Sequence, residues 1–72
     1  MPKTLIFDVK GMTCDNCVRH VTQAAQNVAG VTNVRVSLAE NAARVEGDFD
    51  EKAIIEAIEE EGYEATVKAT AS

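Results

Sequence analysis

The spacing of apolar residues along this chain switches between two residues and three or four, and that switching limits the possible fold more than any other feature. Leu5, Phe7 and Val9 alternate with Thr4, Asp8 and Lys10, the period of a strand with one buried face, although Ile6 breaks the pattern. Gly11 ends that strand. Val18, Val21, Ala24, Ala25 and Val28 then recur at helical spacing, which predicts a helix over about Asn16 to Ala29 with Asp15 or Asn16 as its N-cap and Gly30 as its stop. Val31, Val34, Val36 and Leu38 predict a second strand, Glu40-Asn41 a hairpin turn, and Ala43, Val45 and Gly47 one face of a third strand. Asp48 or Asp50 caps a second helix whose stripe is Ile54, Ile55 and Ile58, with Glu51, Glu56, Glu59, Glu60 and Glu61 toward water and Gly62 at its end. Tyr63 to about Ala69 reads as a last strand with Ala65, Val67 and Ala69 on one side, and Ala71-Ser72 as a frayed end.

The order is βαββαβ. Two amphipathic helices in so short a chain can bury their stripes only by lying together on one face of a four-stranded antiparallel sheet, the α+β ferredoxin-like architecture. With 72 residues and no linker or low-complexity run, one domain is expected over residues 1–72, and its core must be thin.

The chain contains two cysteines, Cys14 and Cys17, too close in sequence to staple distant parts, so folding must rest on apolar packing rather than disulfides. Seven Lys plus Arg against twelve Asp plus Glu give a net charge of -5, which argues against nucleic acid or an anionic membrane surface and leaves a cation or a protein as partner. No stretch approaches the ~20 apolar residues of a membrane span, and Asp8 interrupts the N-terminal apolar run before it could form a signal-peptide core. A cytoplasmic location, without membrane insertion, is the expectation; there the thiols stay reduced.

Both cysteines lie in Gly11-Met12-Thr13-Cys14-Asp15-Asn16-Cys17, where a strand turns into a helix. The unpaired N–H groups and positive end of that helix favour thiolate over thiol, and Cys17, inside the first turn, should feel them more than Cys14. Two thiolates about 4 Å apart repel by roughly 1 to 4 kcal/mol at surface-like dielectrics, so the doubly ionised pair requires a cation between them, and metal binding releases protons. Structural zinc and rubredoxin-like iron want four ligands, which this pair alone cannot supply. Two soft thiolates suffice for an ion that accepts linear two-coordination, with Cu(I) the leading case and other soft or borderline ions able to bind in vitro.

The Gly11 to Cys17 segment, with its strand before and helix after, resembles the GMxCxxC motif of the heavy-metal-associated domain family, and the similarity extends across essentially the whole chain, including Gly30-Val31 and Gly62-Tyr63. Within that family the chain looks like a prokaryotic copper chaperone of the CopZ or Atx1 type. The resemblance implies that Cys14 and Cys17 bind one Cu(I) per monomer, that Met12 tucks under the loop, and that Tyr63 faces it where eukaryotic members typically place lysine. It also implies a copper-transporting P-type ATPase as partner, with the ion passing between CxxC sites by thiolate exchange, and a monomer when apo that a shared metal can bridge into a dimer.

Other readings stay open at this stage. The same domain occurs as a metal-binding module of copper ATPases. A CxxC before a helix also fits a small thiol-disulfide oxidoreductase, although the only proline is Pro2 and Thr13, not an aromatic residue, directly precedes the motif. His20, three residues beyond Cys17, is a possible auxiliary ligand or a solvated side chain. Asp15 is a cap or solvated; zinc-binding relatives more usually place an aspartate directly before the first cysteine, where this chain has Thr13. On any of the metal readings the chain is a binding module and not an enzyme.

Overall fold

In the computed structural model, which describes residues 2–70, the chain runs β1 (Lys3–Lys10), α1 (Asp15–Gln26), β2 (Val31–Ser37), β3 (Ala42–Gly47), α2 (Glu51–Glu60) and β4 (Glu64–Thr70). The expected frayed end at 71–72 lies outside the described residues. All neighbouring strands are antiparallel in the order β2-β3-β1-β4, so the first strand is central and is hydrogen-bonded on both sides. Leu5, Phe7 and Val9 on its inner face meet Val45 and Ala43 from β3 and Ala65 from β4, all buried. The helices close over this face with Val21 and Ala25 of α1 and Ile54 and Ile58 of α2, each fully buried.

Two strand irregularities account for spacings that a simple alternation does not. Val31 and Val34 are three residues apart yet share a face, because β2 carries a bulge between Val31 and Asn33 that sets Val31 opposite Gly47 and Val34 opposite Val45. The second bulge corrects a prediction. Val67 pairs with Phe7 but Ala69 pairs with Ile6, so the extra residue, Lys68, turns Ala69 onto the outer face, away from Ala65 and Val67. Val67 remains 41% exposed even on the inner side. Ile55 is likewise only half-buried at the margin of the core.

Helix ends shift by a few residues from the sequence expectation. The first helix stops at Gln26 with Asn27 as its C-cap, and Leu38 belongs to the turn, where Asn41 takes φ 52 and accepts a bond from the Val9 N–H at 2.8 Å. Asp50, not Asp48, caps α2 by accepting from the Lys52 N–H at 3.1 Å. Phe49, unremarked in the sequence pattern, is buried against Phe7 with ring centroids 6.5 Å apart, and Lys3 Nζ sits 4.9 Å above its ring.

The end of α2 fixes the residue that looks across at the cysteines. Gly62, at φ 95, lets its N–H reach the Glu59 carbonyl at 3.0 Å and the Tyr63 N–H reach the Ile58 carbonyl at 3.4 Å. That is the double bond of a Schellman motif, and it delivers Tyr63 to the start of β4. A Cβ at Gly62 would meet nothing within 4 Å, so any cost of substitution there is backbone strain alone. Gly62→Ala is therefore expected to lower stability by about 1 to 2 kcal/mol, seen as a fall of roughly 4 to 8 °C in Tm per kcal/mol in a thermal melt, with Gly62→Asn costing less.

Candidate metal centre

The site is the loop between β1 and α1. Gly11 leaves the strand at φ 102, and a Cβ built there would stand 3.2 Å from Tyr63 Cδ1, so the absence of a side chain is what lets the Tyr63 ring lie against the loop. Met12 turns inward and is buried in the core cluster. Thr13 and Cys14 are then exposed at the surface.

Helix α1 begins without a side-chain cap. Cys14 is the N-cap, with extended backbone at φ -157 and ψ 172, and its carbonyl accepts from the Cys17 N–H at 3.1 Å and the Val18 N–H at 3.3 Å. The expectation of Asp15 or Asn16 at this position is thus displaced by one residue or two: Asp15 stands inside the first turn, where a carboxylate favours the positive helix end, and Asn16 is exposed beside it. Placing a cysteine at the cap leaves its thiol free to face outward. It also puts Cys17 three residues on, facing the same way.

The two sulfurs are 3.5 Å apart and unbonded, and Thr13 Oγ1 lies 4.0 Å from the Cys17 sulfur. Cys14 is exposed and Cys17 partly buried against the core, so the pair opens directly to solvent on one side. The Cys17 thiol is lowered from its ordinary 9.0 to about 6, chiefly by the Thr13 backbone N–H, then by the Tyr63 hydroxyl and the Cys14 thiol, against a smaller opposing effect of burial. Sequence reasoning looked only to the helix end; the loop amide and the tyrosine are donors that the fold adds. Tyr63 in turn is raised from 10.0 to about 12, first by its interaction with the neighbouring Cys17 sulfur and then by burial, which holds its proton more firmly.

His20 is exposed on α1 and joins neither sulfur in any hydrogen bond among the described residues. Among those residues no group of three or more His, Cys, Asp or Glu side chains is placed to hold a metal ion together. The fold therefore assembles Cys14, Cys17 and Tyr63, keeps Met12 beneath them, and leaves His20 and Asp15 outside. What this arrangement offers chemically is two soft, adjacent, accessible sulfurs, one of them readily ionised, with no third His, Cys, Asp or Glu beside them among the described residues.

Residues 6–64 match the model of the heavy-metal-associated domain. The chain belongs to that family. A relative of nearly its own size is the copper chaperone CopZ of Enterococcus hirae, 39% identical over 64 residues that cover 85% of this chain and 93% of that protein. Copper-transporting ATPase 2 of Rhizobium meliloti is 42% identical over 65 residues, covering 88% of this chain but 8% of the ATPase, so the chain spans under a tenth of that relative's length. In structure, a copper-binding domain from the P-type ATPase HMA7 superposes with a TM-score of 0.94 at 37% identity, covering 97% of this chain and 99% of that domain. The ferredoxin-like sandwich expected from the apolar pattern is the fold of these neighbours.

The lowered Cys17 pKa carries a sign. A thiol that ionises at about 6 when folded and near 9.0 otherwise stabilises the fold fully above pH 9.0, and that contribution is lost as pH falls to about 6. Ultraviolet titration of the reduced, metal-free protein is expected to show a thiolate forming with a midpoint near pH 6, moved upward by Tyr63→Phe. A first thiolate forming only near 9.0 would show that the Thr13 and Tyr63 donors do not reach the Cys17 sulfur.

Proposed function

We propose that this heavy-metal-associated domain is a Cu(I) carrier, binding one ion through Cys14 and Cys17 and passing it to a copper-transporting P-type ATPase by thiolate exchange. The observation that carries the reading is the pair of free sulfurs 3.5 Å apart with no third ligand among the described residues. Two thiolates satisfy a soft ion of low coordination number, whereas a structural zinc site would call for four ligands. An ion held by two exposed ligands remains open to a third thiolate from a partner, so exchange proceeds by adding a ligand before losing one. The similarity to the CopZ chaperone over 93% of its length supports a carrier role.

Met12 packs beneath the loop and sets its height. Tyr63 stays protonated and donates toward Cys17, which steadies charge on the sulfur without competing for the ion. A reducing compartment such as the cytoplasm keeps the pair available as thiols. The chain acts as a binding module rather than an enzyme, a monomer when apo, with a shared ion able to bridge two copies through four cysteines. A second reading, a metal-binding module of a copper ATPase, is favoured by the 42% identity to the Rhizobium meliloti protein. The full reading frame around the coding sequence separates the two, and the chemistry at Cys14 and Cys17 is common to both.

The test is competition for Cu(I) between the reduced protein and a chelator. Removing either cysteine should weaken binding by more than the ~10 to 100-fold that loss of an outer-shell partner typically costs. The Cys14→Ser, Cys17→Ser double variant should lose the ion altogether, and His20→Ala should change nothing. Copper retained by the double variant sinks the assignment.

A further inference from the structure

On the outer face of the sheet, which no helix covers, one groove gathers positive charge in a chain whose net charge is negative. An open groove of about 690 Å³ there is lined by Arg35, Arg44 and Lys68 around a floor that includes Ile6 and Ala69, with Glu40 the one carboxylate of its lining. Three of the chain's seven basic residues thus converge on one surface of a protein whose net charge is -5.

The strand register explains how they meet. Arg35 of β2 is directly opposite Arg44 of β3, Arg44 is opposite Ile6 of β1, and Ile6 is opposite Ala69 of β4, a single row across the whole sheet. Like charges directly opposite one another on a sheet face are destabilising. Lys68 reaches the same groove by a different device, the β4 bulge between the residues paired with Ile6 and Phe7, which re-aims the extra side chain.

Among the described residues, Glu40 is the one carboxylate in the groove to set against its three positive charges. Glu46, two residues along from Arg44, accepts from Asn33 Nδ2 at 3.0 Å, and Asp8 lies one row away, opposite Ala42 and Thr66. No side-chain hydrogen bond among the described residues involves Arg35, Arg44 or Lys68. All three are exposed. Single exposed ion pairs are worth at most about 1 kcal/mol, so an isolated small anion gains little in so open a groove. An extended chain that offers several carboxylates at once, with an aliphatic side chain over Ile6 and Ala69 between them, gains from every contact together.

We propose that the Arg35–Arg44–Lys68 groove docks an acidic, extended segment of a partner protein, on the sheet face opposite the helices and independently of the metal loop.

The experiment titrates the intact protein with a fluorescein-labelled peptide of alternating glutamate and leucine, read by anisotropy and by amide shifts in NMR. Binding should shift Ile6, Arg35, Arg44 and Lys68, weaken with added salt, and fail for the same peptide with glutamine in place of glutamate. Arg35→Gln with Arg44→Gln should weaken it roughly tenfold while leaving Cu(I) competition and the Cys14 and Cys17 resonances unchanged. Should that pair of changes disturb folding, Lys68→Gln alone, at the exposed bulge, should still weaken binding by roughly two- to fivefold. Undiminished affinity in these variants, shifts centred elsewhere, no binding at all, or inorganic phosphate binding as tightly as the peptide would each overturn the proposal.

Discussion

Burial of Met12 couples the metal loop to everything else in the molecule. The side chain enters the same cluster that holds Phe7 and Val9 from the central strand, Val21 from α1 and Ile58 from α2. A loop anchored at that point cannot drift, because moving it would open a cavity in a core too small to absorb one. Its neighbours are held from two directions. Gly11 gives way to the Tyr63 ring on one side, and the Cys14 carbonyl accepts two helix N–H groups on the other. The sulfurs are therefore accessible without being loose.

The order of elements, the inward face shared by Leu5, Phe7 and Val9, and the position of both cysteines at a strand-to-helix junction are legible in the sequence because each rests on a local period or a local breaker. What escaped it depends on pairing between distant strands. The bulges in β2 and β4 are set by how those strands meet β3 and β1, so no residue count along one strand reveals that Ala69 turns outward or that Val31 turns in. Phe49 escaped for a similar reason. It sits alone between a strand and a helix, with no periodic companions, and only the meeting with Phe7 makes it core.

At the site the same division holds. The ligand types and their spacing are in the motif, but the cap is not, because a cysteine is a poor capping residue and propensity points to Asp15 or Asn16 instead. Propensity loses here to chemistry. A good capping side chain folds back onto the helix N–H groups, whereas the Cys14 thiol makes no such bond and stays available. The helix gives up a stabilising contact worth about 0.5 to 2 kcal/mol in other settings, and its N-cap thiol faces outward. Tyr63, forty-six positions beyond Cys17, is brought to it by a Schellman turn that only the folded α2 creates.

The incompleteness of the ligand set follows from these same constraints. Helix α1 presents side chains three and four residues apart on one face, so the position after Cys17 that could join the pair is His20 or Val21. Val21 is fully buried against the sheet, which fixes the rotation of the helix and carries His20 out to solvent. The packing that stabilises the domain thus also keeps His20 away from the two sulfurs. Adding one would mean rolling α1 on its axis and exposing Val21 and Ala25, a loss of about 1.5 to 3 kcal/mol for a side chain the size of valine. The core therefore holds the two sulfurs as a pair, with no third side chain of the described residues beside them.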